Sequence, residues 1–266
     1  MIPLKDYNPT RTTPVVTIAL IGACIAVFVF LQGGSRNSVN ANAGTREVED
    51  LRFNYSHAAV PQELTQRRPL SDEEVDAQFR SNAASRVLCE SRGTDTCYPH
   101  KNIWLSVLYS MFLHGSWLHL GGNMLFLWIF GNNIEDREGK LTYLAFYVLA
   151  GVIATVAQVS LSPHSALPMI GASGAIAGVM GAYLVLYPNV RIRTLFIFFL
   201  VLLRDVEAKW LLLFWFATQF LTSPSSGVAW MAHVGGFAFG VLAGLVWKVT
   251  GRGGPTRRPA RPIPST

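Results

Sequence analysis

The chain has 266 residues, half of them hydrophobic and only 14% charged, against about 25% charged in an ordinary soluble domain. Its formal net charge of +6 gathers at the ends of apolar runs and in the tail residues Arg252, Arg257, Arg258 and Arg261; this is the pattern of cytoplasmic membrane flanks and not of a nucleic-acid-binding face. Several uninterrupted apolar stretches approach the roughly 20 residues that cross a hydrocarbon layer of about 30 Å, which sets aside a soluble fold and makes lipid the solvent.

After a short polar start carrying Lys5 and Arg11, Val15 to Leu31 predicts the first transmembrane helix. It is longer than a typical signal h-region and lacks a small-residue cleavage site, so it reads as a retained signal anchor. Cys24 within it is a small packing residue. Residues 33–103 are hydrophilic, and Ser71 to Cys89 predicts a short amphipathic helix, opened by Ser71 with Glu74 three residues on. Cys89 and Cys97 have no further Cys or His at zinc spacing; they would pair outside the cytoplasm and stay thiols inside it.

Apolar character returns at Trp104, with helices predicted over 116–133, 141–162, 170–187, 208–222 and 228–249. Thr194 to Leu203 is apolar but too short to span, and Arg204 and Asp205 follow at once, so it reads as interfacial or as an early extension of the fifth helix. Six spans put both termini on one side. Arg191, Arg193, Arg204, Lys209 and Lys248 mark that side as cytoplasmic, which leaves 33–103 on the oxidising side. The expected class is an all-α membrane protein, a six-transmembrane-helix bundle with a long hydrophilic loop after helix 1. Its expected parts are 1–32 (tail and helix 1), 33–103 (extracytoplasmic loop), 104–250 (core, helices 2–6) and 251–266 (basic cytoplasmic tail).

Polar side chains inside a membrane are costly and point to function. Three clusters stand out: His114-Gly-Ser-Trp-Leu-His119-Leu-Gly-Gly-Asn123, Gly171-Ala172-Ser173-Gly174, and Ala232-His233-Val234-Gly235-Gly236. His119 and Asn123, four apart, share a helical face, and as a pair are equally well explained by interhelical hydrogen bonds. A lone G-x-S-G is commonly a packing feature. Small residues at i, i+4, i+8 in helix four (Gly174, Gly178, Ala182) and helix six (Gly236, Gly240, Gly244) allow close backbone approach, and so bring Ser173 and His233 to one depth near the outer end. Ser173 would then be a nucleophile with His233 as its base. The Asn123 amide, the His119 ring and the Ser173 N–H would serve a developing oxyanion, with Gly171 and Ala172 supporting them. No transmembrane carboxylate is placed to orient His233, so packing and backbone contacts are expected to hold it. No metal or other cofactor is expected.

Together the three clusters resemble the rhomboid family of intramembrane serine proteases, whose core has H-x-x-x-x-H-x-x-x-N, G-x-S-G and a late A-H-x-x-G in this order. Glu135 and Arg137 match the family's E-x-R. The resemblance covers roughly 104–250 and implies a Ser173–His233 dyad, oxyanion roles for His119 and Asn123, and a loop-bracing role for His114. Structural roles are expected of His114, Glu135, Arg137, Gly174, Gly178, Gly236 and Gly240. It also implies single-span membrane protein substrates and residence in the bilayer of a bacterial inner membrane, with both termini cytoplasmic. Two departures stand out: Ala177 stands where some relatives place an aromatic against the histidine, and the segment after helix one lacks the Trp-Arg pair of some members. The competing readings are a multi-pass transporter or channel, which a lack of repeats and of carboxylate relays disfavours, and an inactive rhomboid-like chaperone, which the presence of both Ser173 and His233 disfavours.

Overall fold

The computed structural model describes residues 1–32, 43–79, 88–89, 96–197, 201–222 and 228–251. Helix α1 (Val15–Ala26) runs on through a π-helical turn, Val27–Leu31. The polar segment contributes α2 (Ala43–His57), α3 (Pro61–Gln66) and α4 (Asp72–Phe79), followed by α5 (Leu105–Ser110). Helix α6 (Trp117–Phe126), the π-helical turn Leu127–Gly131 and α7 (Asn132–Glu138) form one continuous rod. Ser116 caps α6 by accepting from the His119 N–H at 3.1 Å. The rod stops at Gly139, whose φ of 82° ends the helix. Helices α8 (Lys140–Leu161), α9 (Ser173–Leu186), α10 (Ala208–Gln219) and α11 (Trp230–Thr250) complete the bundle.

Helix α9 is the axis. Every residue from Gly174 to Tyr183 is buried, and its main partners are α11 and α8. By contrast α8 and α11 leave apolar side chains such as Leu141 and Val249 more than four-fifths exposed, a surface that suits lipid. Both are long and apolar enough to cross a membrane; Val15–Leu31 and Ser173–Leu186 are shorter apolar helices. Fourteen residues of α9 are about 21 Å long at 1.5 Å per residue, less than a hydrocarbon core of about 30 Å.

The apolar stretch after Pro188 does not extend the fifth helix. On either side of 198–200, which lie outside the described residues, it forms two paired strands, β2 (Arg191–Ile197) and β3 (Val201–Glu207), and the polar start forms β1 (Ile2–Asp6) against β2. The sheet is antiparallel in the order β1-β2-β3, with Ile2 opposite Leu195 and Arg191 opposite Glu207. The physical reason is a period of two: Ile192 and Thr194 are buried while Arg191 and Arg193 face outward. That alternation begins upstream of Thr194, where the apolar segment starts. Pro3 is tolerated because β1 is an edge strand.

The hydrophilic segment is more than a loop. Tyr55, Val60, Leu70, Val75, Leu88 and Tyr98 form a second small core. Glu63 and Lys101 meet inside it at 2.5 Å with both side chains fully enclosed. Burial pushes the Glu63 carboxyl up and the Lys101 ammonium down, each opposed by the other's charge. The Ser71 capping pair is present: the Ser71 N–H donates to Glu74 at 2.8 Å and the Glu74 N–H to Ser71 Oγ at 3.3 Å. The helix it opens is described as far as Phe79, while the rest of its expected extent over 80–87, and the basic tail 252–266, lie outside the described residues. Cys89 and Cys97 are joined in a disulfide.

Candidate active site

Ser173 is the first residue of α9, so its backbone N–H has no acceptor within the helix. The turn before it needs glycine, because Gly171 has φ 126°. This is why α9 starts at 173 and not at 170. A Cβ on Gly171 would also lie 2.9 Å from His119 Nε2 and 3.4 Å from Ser173 Oγ. The two side chains thus converge over a residue that has none. The turn is tied down from outside: the Gly171 N–H donates to the Ser110 carbonyl at 2.9 Å, and the Ala59 N–H to Ser110 Oγ at 2.7 Å. Met169 pairs with Ala59 as an isolated bridge. The polar segment therefore braces the serine loop, a role not visible in its sequence.

His233 lies in the first turn of α11, with Nε2 2.8 Å from Ser173 Oγ. The glycine stripes explain the closeness. A Cβ on Gly236 would overlap the Gly174 carbonyl oxygen, and one on Gly178 would lie 3.2 Å from the Gly236 carbonyl oxygen and 2.6 Å from Ala150. Backbone therefore touches backbone between α9 and α11, at the level where the two functional side chains emerge.

What holds the imidazole corrects the sequence reading. The side-chain amide of Gln219 on α10 does so, with Oε1 2.7 Å from His233 Nδ1. Trp215, one turn earlier, lies beside the ring at a centroid distance of 5.9 Å, so the aromatic absent at Ala177 comes from another helix. The sequence signal for Gln219 was weak: a polar residue near the end of an apolar helix, four after a tryptophan.

His119 and Asn123 lie where the sequence placed them, one turn apart on α6. The Gly115 N–H donates to His119 Nδ1 at 3.3 Å, which leaves the proton on Nε2, the nitrogen facing the serine loop. Asn123 Nδ2 donates one hydrogen to the His119 carbonyl at 3.0 Å and retains a second. His114 braces the adjacent turn: its N–H donates to Gln32 Oε1 at 3.0 Å, its carbonyl accepts from Gln32 Nε2 at 3.1 Å, and its ring meets His119 edge to face at 5.2 Å. A cavity of about 490 Å³ opens beside the pair, lined by His119, Asn123, Phe126, Ser173, Trp215 and His233, among others.

Glu135 and Arg137 lie far from this site. Glu135 accepts from the Val16 N–H (2.9 Å), the Thr17 N–H (2.8 Å) and Thr17 Oγ1 (2.8 Å). It thereby supplies the N-terminal cap that Pro14 cannot. Arg137 pairs with Glu138 at 3.0 Å. Among the described residues one group of metal-ligating types comes together, Asp72 with Cys89 and Cys97, and both of its sulfurs belong to the disulfide.

A family model described as the Rhomboid domain matches residues 101–248, more than half of the chain. The presenilin-associated rhomboid-like protein, mitochondrial, of Bos taurus is 34% identical over 123 residues, 45% of this chain and 28% of its own. Rhomboid protein 1, mitochondrial, of Saccharomyces cerevisiae is 31% identical over 149 residues, 53% and 41% of the two chains. Rhomboid protease GluP of Bacillus subtilis is 38% identical over 81 residues, 30% and 15%. The matched stretch spans less than half the length of each of these relatives. With the family model covering the helices that carry all three clusters, the chain belongs to the rhomboid family of helical integral membrane proteins.

Proposed function

We propose that this protein is an intramembrane serine endopeptidase with a Ser173–His233 dyad. The observation that carries the reading is the 2.8 Å contact between Ser173 Oγ and His233 Nε2 at the edge of a cavity. A serine hydroxyl is a poor nucleophile until a base takes its proton, and a neutral imidazole in hydrogen-bond contact is such a base. Ser173 Oγ attacks a substrate carbonyl carbon as its proton passes to His233 Nε2. The oxyanion so formed is met by the Ser173 N–H, the second Asn123 Nδ2 hydrogen and His119 Nε2–H. His233 then gives the proton to the leaving amine, and water, activated by the same base, hydrolyses the acyl-enzyme.

The substrates are single-span membrane proteins cleaved in or near their transmembrane segment. In this reading the nucleophile, at the start of a helix shorter than the hydrocarbon core, sits below the outer surface. A peptide must therefore leave its helical state to present a carbonyl, at a cost of several kcal/mol for each backbone group left unsatisfied in lipid. Gly, Pro and polar residues near the bond lower that cost. A recess of about 40 Å³ beside Ser173, walled by Gly151, Ala154, Gly174 and Ala232 among others, suits a small residue such as Ala, Gly, Ser or Cys before the scissile bond.

In this reading the chain spans the membrane six times, through α1, α6–α7, α8, α9, α10 and α11 with its parts divided at 32, 103 and 250. Both termini then lie on the cytoplasmic side, the N-terminus because Arg191, Arg193, Arg204 and Lys209 cluster at the sheet end that also holds β1, and the C-terminus because six spans return the chain to the side on which it started. The decisive experiment is cleavage of a generic transmembrane substrate by the purified chain in detergent, with fluorophosphonate labelling. Ser173→Ala should abolish both; full cleavage by that variant sinks the protease reading.

A further inference from the structure

We infer that Gln219 is the positioning residue of the dyad, its side-chain carbonyl fixing the rotation and tautomer of His233 so that the working unit is Ser173–His233–Gln219. The inference rests on the protease reading above and deepens it.

The two ends of the Gln219 amide are distinguished by their partners. Nε2 donates to the Trp215 carbonyl at 3.0 Å and lies 3.3 Å from Thr218 Oγ1. Thr218 Oγ1 itself donates to the Trp215 carbonyl at 2.6 Å, which leaves its lone pair free to accept. Reversing the amide would set two acceptor oxygens 3.0 Å apart. Oε1 therefore faces His233, and because a carbonyl oxygen only accepts, His233 Nδ1 carries the hydrogen across the 2.7 Å contact. A neutral imidazole protonated at Nδ1 has its lone pair on Nε2, the nitrogen 2.8 Å from Ser173 Oγ. That is the tautomer a general base needs.

The same contact persists once Nε2 has taken the serine proton, and the carbonyl dipole then faces a cation. Trp215 and Gln219 are one turn apart on α10, so a single helix supplies both the aromatic neighbour and the hydrogen-bond acceptor of the ring. Among the described residues His119 is the titratable side chain that shares the cavity wall with Ser173 and His233, and no carboxylate is part of that wall. A neutral amide serves here because it costs far less than a carboxylate to bury within an apolar bundle.

The test uses the full chain in detergent, with Gln219→Met, which keeps the length and removes the acceptor, and Gln219→Glu, which keeps an acceptor. Gln219→Met should lower kcat by about 10- to 100-fold, by analogy with the loss seen when the partner that orients a metal-bound histidine is removed, with KM unchanged. Gln219→Glu should restore cleavage near neutral pH and move the acidic limb of the pH–rate profile to higher pH, because a carboxylate beside the ring favours the imidazolium. A residue that merely packs α10 would not move that limb. Thermal midpoints show whether each variant is folded; if Gln219→Met is not, the limb of Gln219→Glu decides. Wild-type kcat in Gln219→Met, or an unshifted limb in Gln219→Glu, overturns this inference alone. A wild-type chain that neither cleaves nor labels at Ser173 overturns the protease reading and this inference with it.

Discussion

Gly240 of α11 lies so close to Gly178 of α9 that a Cβ on Gly240 would overlap the Gly178 carbonyl oxygen. Backbone cannot rotate aside as a side chain can, so relief requires the helices to separate. Overpacking of this kind costs about 1–3 kcal/mol and sometimes more. Gly240→Ala should lower the thermal midpoint in detergent and suppress fluorophosphonate labelling, since Ser173 and His233 ride on the same two helices. Gly22→Ala, where nothing lies within 4 Å of the new Cβ, should change neither.

Asn123→Ala should leave measurable cleavage where Ser173→Ala and His233→Ala leave none. Removing one oxyanion donor typically costs about 10²- to 10³-fold in rate, or about 2.7–4 kcal/mol. The amide acts on charge that develops only during reaction, so the loss should fall on kcat. A loss confined to KM would remove Asn123 from this role.

Glu135 satisfies two backbone amides and a hydroxyl at the start of α1. Each buried donor left unpaired costs about 1–3 kcal/mol. Glu135→Ala should lower the thermal midpoint without directly touching the reacting groups. Glu135→Gln should also destabilise, because one carboxylate oxygen becomes an NH₂ aimed at an N–H. A Glu135→Gln variant as stable as the parent would contradict this account.

The Glu74 carboxyl is held at about 2, although its partial burial works in the opposite direction; hydrogen bonds from Arg68, the Ser71 N–H and Gln66 outweigh it. A depressed carboxylate stabilises the fold above its unfolded value, here 4.5, and that contribution is lost as pH falls towards about 2. The protection factors of amides 61–79, that is, their exchange rates relative to the intrinsic rate at each pH, should therefore fall on acidification through this window. In Glu74→Gln the same amides should be less protected at neutral pH, and their protection should depend less on pH.

Non-reducing peptide mapping should recover the segments holding Cys89 and Cys97 as one cross-linked species, and two free thiols would refute the pairing. Closing so short a loop stabilises by roughly 2–3 kcal/mol on chain-entropy grounds. The second core touches the serine loop through Ala59 and Met169, so reduction should slow cleavage as well as loosen the polar segment.

Much of this was legible from spacing. Lipid selects uninterrupted apolar helices and makes every polar exception conspicuous, so Ser173, His233, His119 and Asn123 stood out, and the glycine stripes showed which helices would meet. The Ser71–Glu74 cap was local and therefore readable. Residues whose meaning depends on a distant partner were not. The strands Arg191–Ile197 and Val201–Glu207 alternate locally, but that residues 2–6 join them as a third strand, a contact across almost two hundred positions, could not be read from spacing. The resemblance alone marks Glu135 as structural, and what it holds is settled only when α1 presents its unpaired amides. Gln219 belongs to no local pattern. A single helix face can mark which side chains point inward, but the tautomer of His233 was decided only when α10 packed against α11, because hydrogen-bond partners across helices are fixed by the three-dimensional approach of backbones and not by spacing along any one of them.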